Sequence, residues 1–324
     1  MRYISPAFFD DFKCTADKCT DSCCIGWEID VDEETRALYE KMNTPFGEKL
    51  RKNIIKSVDG CYSFKLKENE RCPFLNDNNL CDIILNCGEE SICYICKEHP
   101  RFYNDFSEVT EYGLGLCCEE VCRLLIENDE PLKFVVEEDD YYYADGNNET
   151  VCYNELYKVR KEIYDVLSLD MPYNEKIEKI CAIAQTLSGE LFEVESDKMI
   201  LEKYEKTEPI NKEWSEYFDD LSEKIKLVLE KESPLDKKSN GDKIYSKLLA
   251  YIIFRHLMNS IRTDRPSFIE YLSFCISGVR FIKLCDMKTL YEKGEITLKD
   301  RIDNIKRWSS QIEYSEENMD LLTN

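Results

Sequence analysis

Glycine and proline are scarce, at 11 and 9 in 324 residues. A large β-sandwich punctuated by tight turns needs more of both, so that architecture is disfavoured and the charged, Leu/Ile-rich second half reads as helix. Histidine is limited to His99 and His256, too few for a His-rich metal site. Basic charge is in deficit: 43 Lys and Arg face 66 Asp and Glu, a net charge of −23. The acidity is shared by both halves and not confined to a tail. It favours solubility and can also attract a lysine-rich protein. Phosphate backbones require Lys/Arg patches, which this chain lacks, so nucleic acid is not an expected partner. Long apolar runs are missing too. Residues 248–258 form the most apolar stretch, which is too short to span a bilayer and contains Arg255 and His256. The N-terminal MRYISPAFFDDFKC carries acidic residues and no extended apolar core. No membrane partner is expected, and the expected location is cytoplasmic.

What is present argues for a folded chain with an unusual first third. Twenty Tyr, 15 Phe and 3 Trp are far too many aromatics for a disordered polymer. Of 17 cysteines, most precede Arg123, at positions 14, 19, 23, 24, 61, 72, 81, 87, 93, 96, 117, 118 and 122. A disulfide framework suits short exported chains. Buried inert thiols account for some of Cys61, Cys87, Cys152, Cys181, Cys275 and Cys285. Clustered thiols in a reducing compartment stay free to ionise on a metal, and metal ligation is the favoured reading.

The expected fold is mostly α: a cysteine-rich, metal-binding N-terminal domain with little β over 1–130, an acidic linker over 131–150 and a helical bundle over 151–324. Pro131, the acidic run at 137–140 and Asp145-Gly146 mark the boundary. Ile177, Ile180, Ile183, Ala184 and Leu187 share one helical face, as do Trp214, Tyr217, Phe218, Leu221, Ile225, Val228 and Leu229, with Asn211 as N-cap. Residues 243–262 are apolar nearly all round and predict a central helix. Pro266 stands where another long helix begins. In the first domain, Asp30-Val-Asp-Glu-Glu-Thr predicts a capped helix start, and Cys72-Pro-Phe-Leu, Asn76 to Asn79 and Leu80-Cys81 predict a tight loop bracketed by thiols.

The strongest chemical signal is the cysteine set as a group: Cys14-x4-Cys19-x3-Cys23-Cys24, Cys72-x8-Cys81, Cys93-x2-Cys96 and Cys117-Cys118. Converging thiolates are soft donors that select zinc or an iron–sulfur cluster. Their number exceeds one tetrahedral zinc, which implies one cluster with spare thiols or two sites; spacing leaves zinc and iron both open. Other signatures are missing. Cys19 and Cys23 fit the first spacing of a radical-type Cys-x3-Cys-x2-Cys run, but the next cysteine is Cys24. There is no Walker loop, and Gly113-Leu-Gly115 lacks a third glycine, so a Rossmann-type nucleotide site has no support.

These residues resemble a family, the flagellin lysine-N-methylases. The resemblance is carried by Cys14…Cys19-Thr-Asp-Ser-Cys23-Cys24-Ile-Gly-Trp27 with Asp32, Cys72-Pro-Phe-Leu…Leu80-Cys81, Cys96-Lys-Glu-His-Pro100-Arg101 and Leu116-Cys-Cys118-Glu-Glu120…Arg123-Leu-Leu. Tyr251-Ile-Ile-Phe-Arg255-His256 and Ile312-Glu313-Tyr-Ser-Glu-Glu-Asn318 extend it over nearly the whole chain. It departs from the family pattern in Cys118-Glu-Glu120 for Cys-Pro-Glu, His99-Pro-Arg101 for Tyr-Pro-Arg, and Tyr314 for histidine. Shorter cysteine-rich zinc- or iron-chelating proteins share the Cys-Cys and Cys-Pro-Phe-Leu pieces. They supply the alternative function: a non-catalytic metal carrier or interaction scaffold.

The resemblance implies transfer of methyl from S-adenosylmethionine to lysine side chains of flagellin, with an iron–sulfur cluster of 4Fe-4S type or zinc as the alternative. It points to Cys14, Cys19, Cys23, Cys24, Cys72, Cys81, Cys96 and Cys118 as ligands. A lysine amine attacks a methyl sulfonium only when neutral, and its ordinary pKa is about 10.4. A drier pocket or a base must therefore remove the proton. Asp32, Glu111 and Glu120 are the expected catalytic carboxylates, with Trp27 and Arg101 at the cofactor. For Trp27 and Arg101 the competing role is packing and loop bracing, and for Asp32 it is helix capping.

Overall fold

The computed structural model describes residues 1–58, 60–138, 148–230, 241–262 and 265–323. It divides into two compact units, one built from 1–12, 103–117 and 121–324 and the other from 13–102 and 118–120. These spatial units differ from the sequence spans 1–130, 131–150 and 151–324. Strand pairing explains the difference. Arg2–Pro6 pairs in parallel with Val109–Leu114, Arg2 opposite Val109, and antiparallel with Phe134–Glu138, Arg2 opposite Glu138. With the strand Arg101–Phe106 outside Val109–Leu114, this makes a four-stranded sheet. The sheet draws the chain's first residues into the helical unit. The N-terminal third thus contributes more β than its composition suggested. Part of the acidic linker is the strand Phe134–Glu138; its residues 139–147, with Asp145-Gly146, lie outside the described ones.

The helical unit is organised around two helices buried on almost every side, Asp242–His256 and Phe268–Lys293. The first continues as a 3-10 turn, Leu257–Ile261, matching the expected central helix. Ser267 caps the second helix in a reciprocal box with Glu270. Pro266 therefore precedes the cap, where its missing N–H costs no helical bond. Thr297 and Asp300 close the start of Leu298–Ile312 in the same way. Asn211 Oδ1 accepts from Trp214 N–H at 2.8 Å at the start of Lys212–Glu230. Around this frame lie Asn148–Ser168, Tyr173–Ser188, Asp197–Tyr204 and Glu316–Thr323. Ile177, Ile180 and Ala184 are buried as their spacing predicts, whereas Leu187 is half exposed in the last turn. At Gly278 the helix comes against the Trp308 ring: an added Cβ would lie 2.7 Å from Trp308 Cζ2. Trp308 Nε1 donates to Tyr204 Oη at 2.8 Å, and Tyr204 stacks on Phe281 with centroids 3.9 Å apart.

The second unit holds Glu33–Lys41, Pro45–Lys52, the hairpin Ile54–Lys56/Tyr62–Phe64, and the short helices Asp82–Cys87 and Tyr94–Glu98. Its core is Ile29, Val31, Tyr39, Leu50, Phe64, Phe74, Leu75 and Ile83. Phe64 and Phe74 meet edge to face at 4.9 Å, each burial contributing roughly 1.5–3 kcal/mol. No described helix is long and apolar enough to cross a membrane.

Candidate functional site

Two backbone devices bring distant thiols of the smaller unit together. After the Cys23-Cys24 turn, Gly26 takes a positive φ of 81°, and its N–H bonds Glu70 O at 3.1 Å. This left-handed conformation favours glycine. Cys72 N–H then donates to Cys24 O at 2.8 Å. Asn76 forms the second device, its Oδ1 accepting from Asn78 N–H at 2.9 Å and Leu80 N–H at 3.1 Å. That closes the expected loop and bridges Leu75 to Cys81.

None of the 17 cysteines forms a disulfide. Cys72 and Cys93 are buried in the apolar core, and Cys24, Cys81, Cys87 and Cys96 pack against it. Burial pushes the Cys72 thiol up to about 12 and also raises Cys81. Backbone amides work against burial: Phe74 hydrogen-bonds Cys72, and Ile84 and Ile83 hydrogen-bond Cys81. Cys96 is raised first by its hydrogen bond with Cys93 and then by burial. Cys24 acts on Cys72, Cys81 and Cys96 alike.

A second gathering of thiols forms from the chain's other pieces. Thr20 N–H and hydroxyl donate to the Glu119 carboxylate at 2.9 and 2.5 Å, tying the Cys19 loop to the segment containing Cys118. Cys14 and Cys118 act on Cys23, and Cys118 acts on Cys19. Burial raises Cys19 to about 11. Cys14 and Cys23 are exposed. The Cys23–Cys24 hydrogen bond holds Cys23 high and Cys24 low.

Among the described residues, no three His, Cys, Asp or Glu side chains are gathered so as to hold a metal ion. The expected ligands therefore form loose groups, and a metal would have to draw them inward. The donor chemistry nonetheless fits a thiolate-bound metal: eight thiols outside any disulfide, two of them hydrogen-bonded by backbone amides that stabilise negative sulfur.

The expected carboxylates occupy three different settings. Asp32 caps Glu33–Lys41, accepting from Thr35 N–H at 2.8 Å, and also accepts from Tyr94 N–H at 2.8 Å. Burial opposes its charge, but these amides and the Thr35 hydroxyl hold the carboxyl below its usual range. Asp32 also lines a depression of about 600 Å³ with Glu34, Lys41, Glu90, Tyr94 and Lys97. Glu111 belongs to the larger unit, where it is fully buried with Arg160 Nη1 at 2.9 Å and the Tyr153 hydroxyl. Glu120 is half-buried in the first turn of Glu119–Ile126. Trp27 is half-buried, and Arg101 Nη1 donates to Lys97 O at 3.0 Å.

One buried polar network was not singled out as a site by sequence reasoning. Glu313 is buried with His256 Nε2 at 2.7 Å, Arg255 at 3.2 Å and the Ser309 hydroxyl. The Arg255 guanidinium lies over the Tyr314 ring, and Cys117 Sγ donates to Tyr314 Oη at 3.0 Å. The available signal was the pair of segments Arg255-His256 and Glu313-Tyr314, which lack an obvious motif until they are seen in contact.

The profile of the FliB lysine N-methylase C-terminal domain matches residues 112–324, more than half of the sequence, and the chain belongs to that family of lysine N-methylases. It is similar to the lysine-N-methylase of Salmonella choleraesuis (strain SC-B67), 24% identical over 140 residues covering 39% of this chain and 33% of that protein. The lysine-N-methylase of Salmonella typhimurium (strain LT2) gives the same identity and coverage. The flagellar biosynthetic protein FliU of Salmonella muenchen is 26% identical over 132 residues, 39% of this chain and 78% of that protein. The chain thus spans about a third of the length of the two lysine-N-methylases it matches. No solved structure matches.

Proposed function

We propose that this protein transfers methyl from S-adenosylmethionine to lysine side chains of flagellin, with a thiolate-bound iron–sulfur centre in its smaller unit. The family match over residues 112–324 carries the reading, and the relative named as a flagellar biosynthetic protein supports a flagellar substrate. In the reaction the lysine Nζ lone pair forms a bond to the methyl carbon. The carbon–sulfur bond breaks, the sulfonium leaves as a neutral thioether, and the amine proton passes to a base. The metal centre, when bound, supplies a fixed thiolate-ligated anchor for the loops that carry Cys24, Cys72, Cys81 and Cys96.

The chain's own residues suit the preceding steps. Net charge of −23 attracts a protonated lysine-rich surface. The depression lined by Asp32, Glu34, Glu90 and Tyr94 offers carboxylates and a phenol to an ammonium group. Glu120 is the carboxylate assigned to proton removal, while Glu111, engaged with Arg160 and Tyr153, holds its surroundings in place. Trp27 and Arg101 retain the assignment to the methyl donor.

The test incubates purified full chain with flagellin and S-adenosylmethionine carrying a labelled methyl group. Label on flagellin lysines is the expected result, reduced at least ~100-fold in Glu120→Gln, as for a lost general base. No label on any of a panel of flagellins, with metal retained, would sink the enzyme reading in favour of a metal-binding scaffold.

A further inference from the structure

The sheet of the larger unit ends on a strand with an open side. Phe134–Glu138 stands last in the strand order and pairs with Arg2–Pro6. Ala7 N–H donates to Lys133 O at 2.9 Å, one position beyond the Pro6–Phe134 pair. Antiparallel bonding alternates, so Val135 and Glu137 also bond inward, to Ser5 and Tyr3. The far side of Arg2–Pro6 agrees. Arg2 N–H donates to Glu108 O at 2.8 Å, which turns Arg2 and Ile4 toward Val109–Leu114. The N–H and C=O groups of Phe134, Val136 and Glu138 therefore face away from the sheet. Among the described residues, none of these groups has a backbone partner. Side-chain chemistry along the strand is divided. Val135 and Val136 are 43% and 44% exposed, and Glu137 and Glu138 beside them are exposed as well. Phe134 packs on Tyr164 and Phe254, with ring centroids 4.9 and 4.7 Å away. Arg2 stands opposite Glu138, but its guanidinium donates to Asn154 Oδ1 at 2.7 Å and lies over the Tyr153 and Tyr157 rings. Neither Glu137 nor Glu138 has an ion-pair partner among the described residues.

We propose that this edge docks an extended, lysine-bearing segment of the protein substrate, which adds to the sheet as a further strand. The inference rests on the function proposed above, which makes a lysine-bearing protein the partner. Main-chain bonds to Phe134, Val136 and Glu138 supply affinity, and the alternating side chains supply selectivity. Opposite charges directly across two strands attract. Lysines therefore belong opposite Glu137 and Glu138, and apolar residues opposite Val135 and Val136. A second copy of the same strand fits poorly. Paired in parallel and in register it sets glutamate against glutamate; paired antiparallel about Val136 it sets both glutamates against Phe134 and Val135. Docking of this kind strengthens ground and transition states equally, so it acts on KM and leaves kcat unchanged.

The experiment reads backbone amide exchange in the full chain, alone and with each of two probes. One probe is flagellin monomer; the other is a synthetic peptide alternating lysine and valine. Both should protect the Phe134, Val136 and Glu138 amides, and a glutamate–valine peptide should not. Val136→Pro removes one outward N–H and keeps the inward bonds of Val135 and Glu137. It should stay folded by circular dichroism, weaken binding of both probes at least ~10-fold and raise KM with kcat unchanged. Glu137→Lys combined with Glu138→Lys leaves every backbone bond in place and should do the same, which keeps the test valid if the proline variant unfolds. Outward amides left unprotected at saturating lysine–valine peptide overturn the proposal, as does folded Val136→Pro that binds both probes like the parent. Exchange at these amides that slows as the protein alone is concentrated also overturns it, in favour of pairing between copies. Protection by the peptide, with flagellin neither bound nor methylated, leaves the docking edge standing and removes flagellin as the substrate.

Discussion

His256 Nε2 lies 2.7 Å from Glu313 Oε1 in a fully buried pair that joins the central helix to the end of Leu298–Ile312. Burial lowers His256 despite this carboxylate. Burial also opposes ionisation of Glu313, but Arg255, His256 and Ser309 outweigh it and hold its carboxyl below the usual range. Both residues therefore bind protons more readily when unfolded. The stability they contribute is present above the unfolded values, about 6.5 for His and about 4.3 for Glu, and is lost as pH falls toward the lower folded values.

Melting temperature should consequently fall from pH 7 to pH 5.5, and further below pH 4.5. His99 is lowered by burial and acts in the same direction. In His256→Gln the drop between pH 7 and 5.5 should be smaller than in the parent. An unchanged slope in thermal unfolding would show that the imidazole is not involved.

Arg160→Met should destabilise the larger unit by about 3–5 kcal/mol, because it strands the Glu111 carboxylate without its cation in a dry site. Adding Glu111→Leu should restore much of that loss. Urea titration of the two single variants and the double measures the coupling.

Gly278→Ala should cost about 1–3 kcal/mol, since the new methyl would press on Trp308 at 2.7 Å. The Trp308–Tyr204 hydrogen bond should weaken with it. Chemical denaturation, with the fluorescence of the ring as a second probe, checks both.

Asp32→Ala should cost about 1–2 kcal/mol through loss of the acceptor for the Thr35 and Tyr94 amides. Asp32→Asn keeps an acceptor and should be nearly as stable as the parent. If its charge helps to receive the lysine ammonium, Asn should raise KM for flagellin about tenfold, a loss of ~1.4 kcal/mol. A fully active Asn variant would reduce Asp32 to its capping role.

Much of the larger unit was legible because helices advertise themselves locally. The all-round apolar run at 243–262 became the central helix, and Asn211 became a cap, since spacing and a single side chain suffice for each. The sheet was not legible. Arg2–Pro6 finds its partner at Val109–Leu114, and nothing within five residues announces a pairing so distant in sequence. Asp32 illustrates a middle case: its cap on Thr35 follows from neighbouring residues, while its bond to Tyr94 depends on the fold.

By itself, the sequence determined the supply of chemistry: a surplus of acid, a deficit of histidine, and many thiols in spacings that resemble one family. Residue identity is sufficient for that, because charge and softness belong to side chains wherever they lie. Only tertiary structure decided which thiols are neighbours. Cys23 and Cys24 are adjacent in the chain and hydrogen-bond each other, yet Cys24 packs on the same core as Cys72, Cys81 and Cys96, while Cys23 is exposed. Likewise, only folding brings Arg255 and His256 onto Glu313. These contacts are made by packing between segments far apart in the chain, and such packing reflects the whole buried core and not any local spacing.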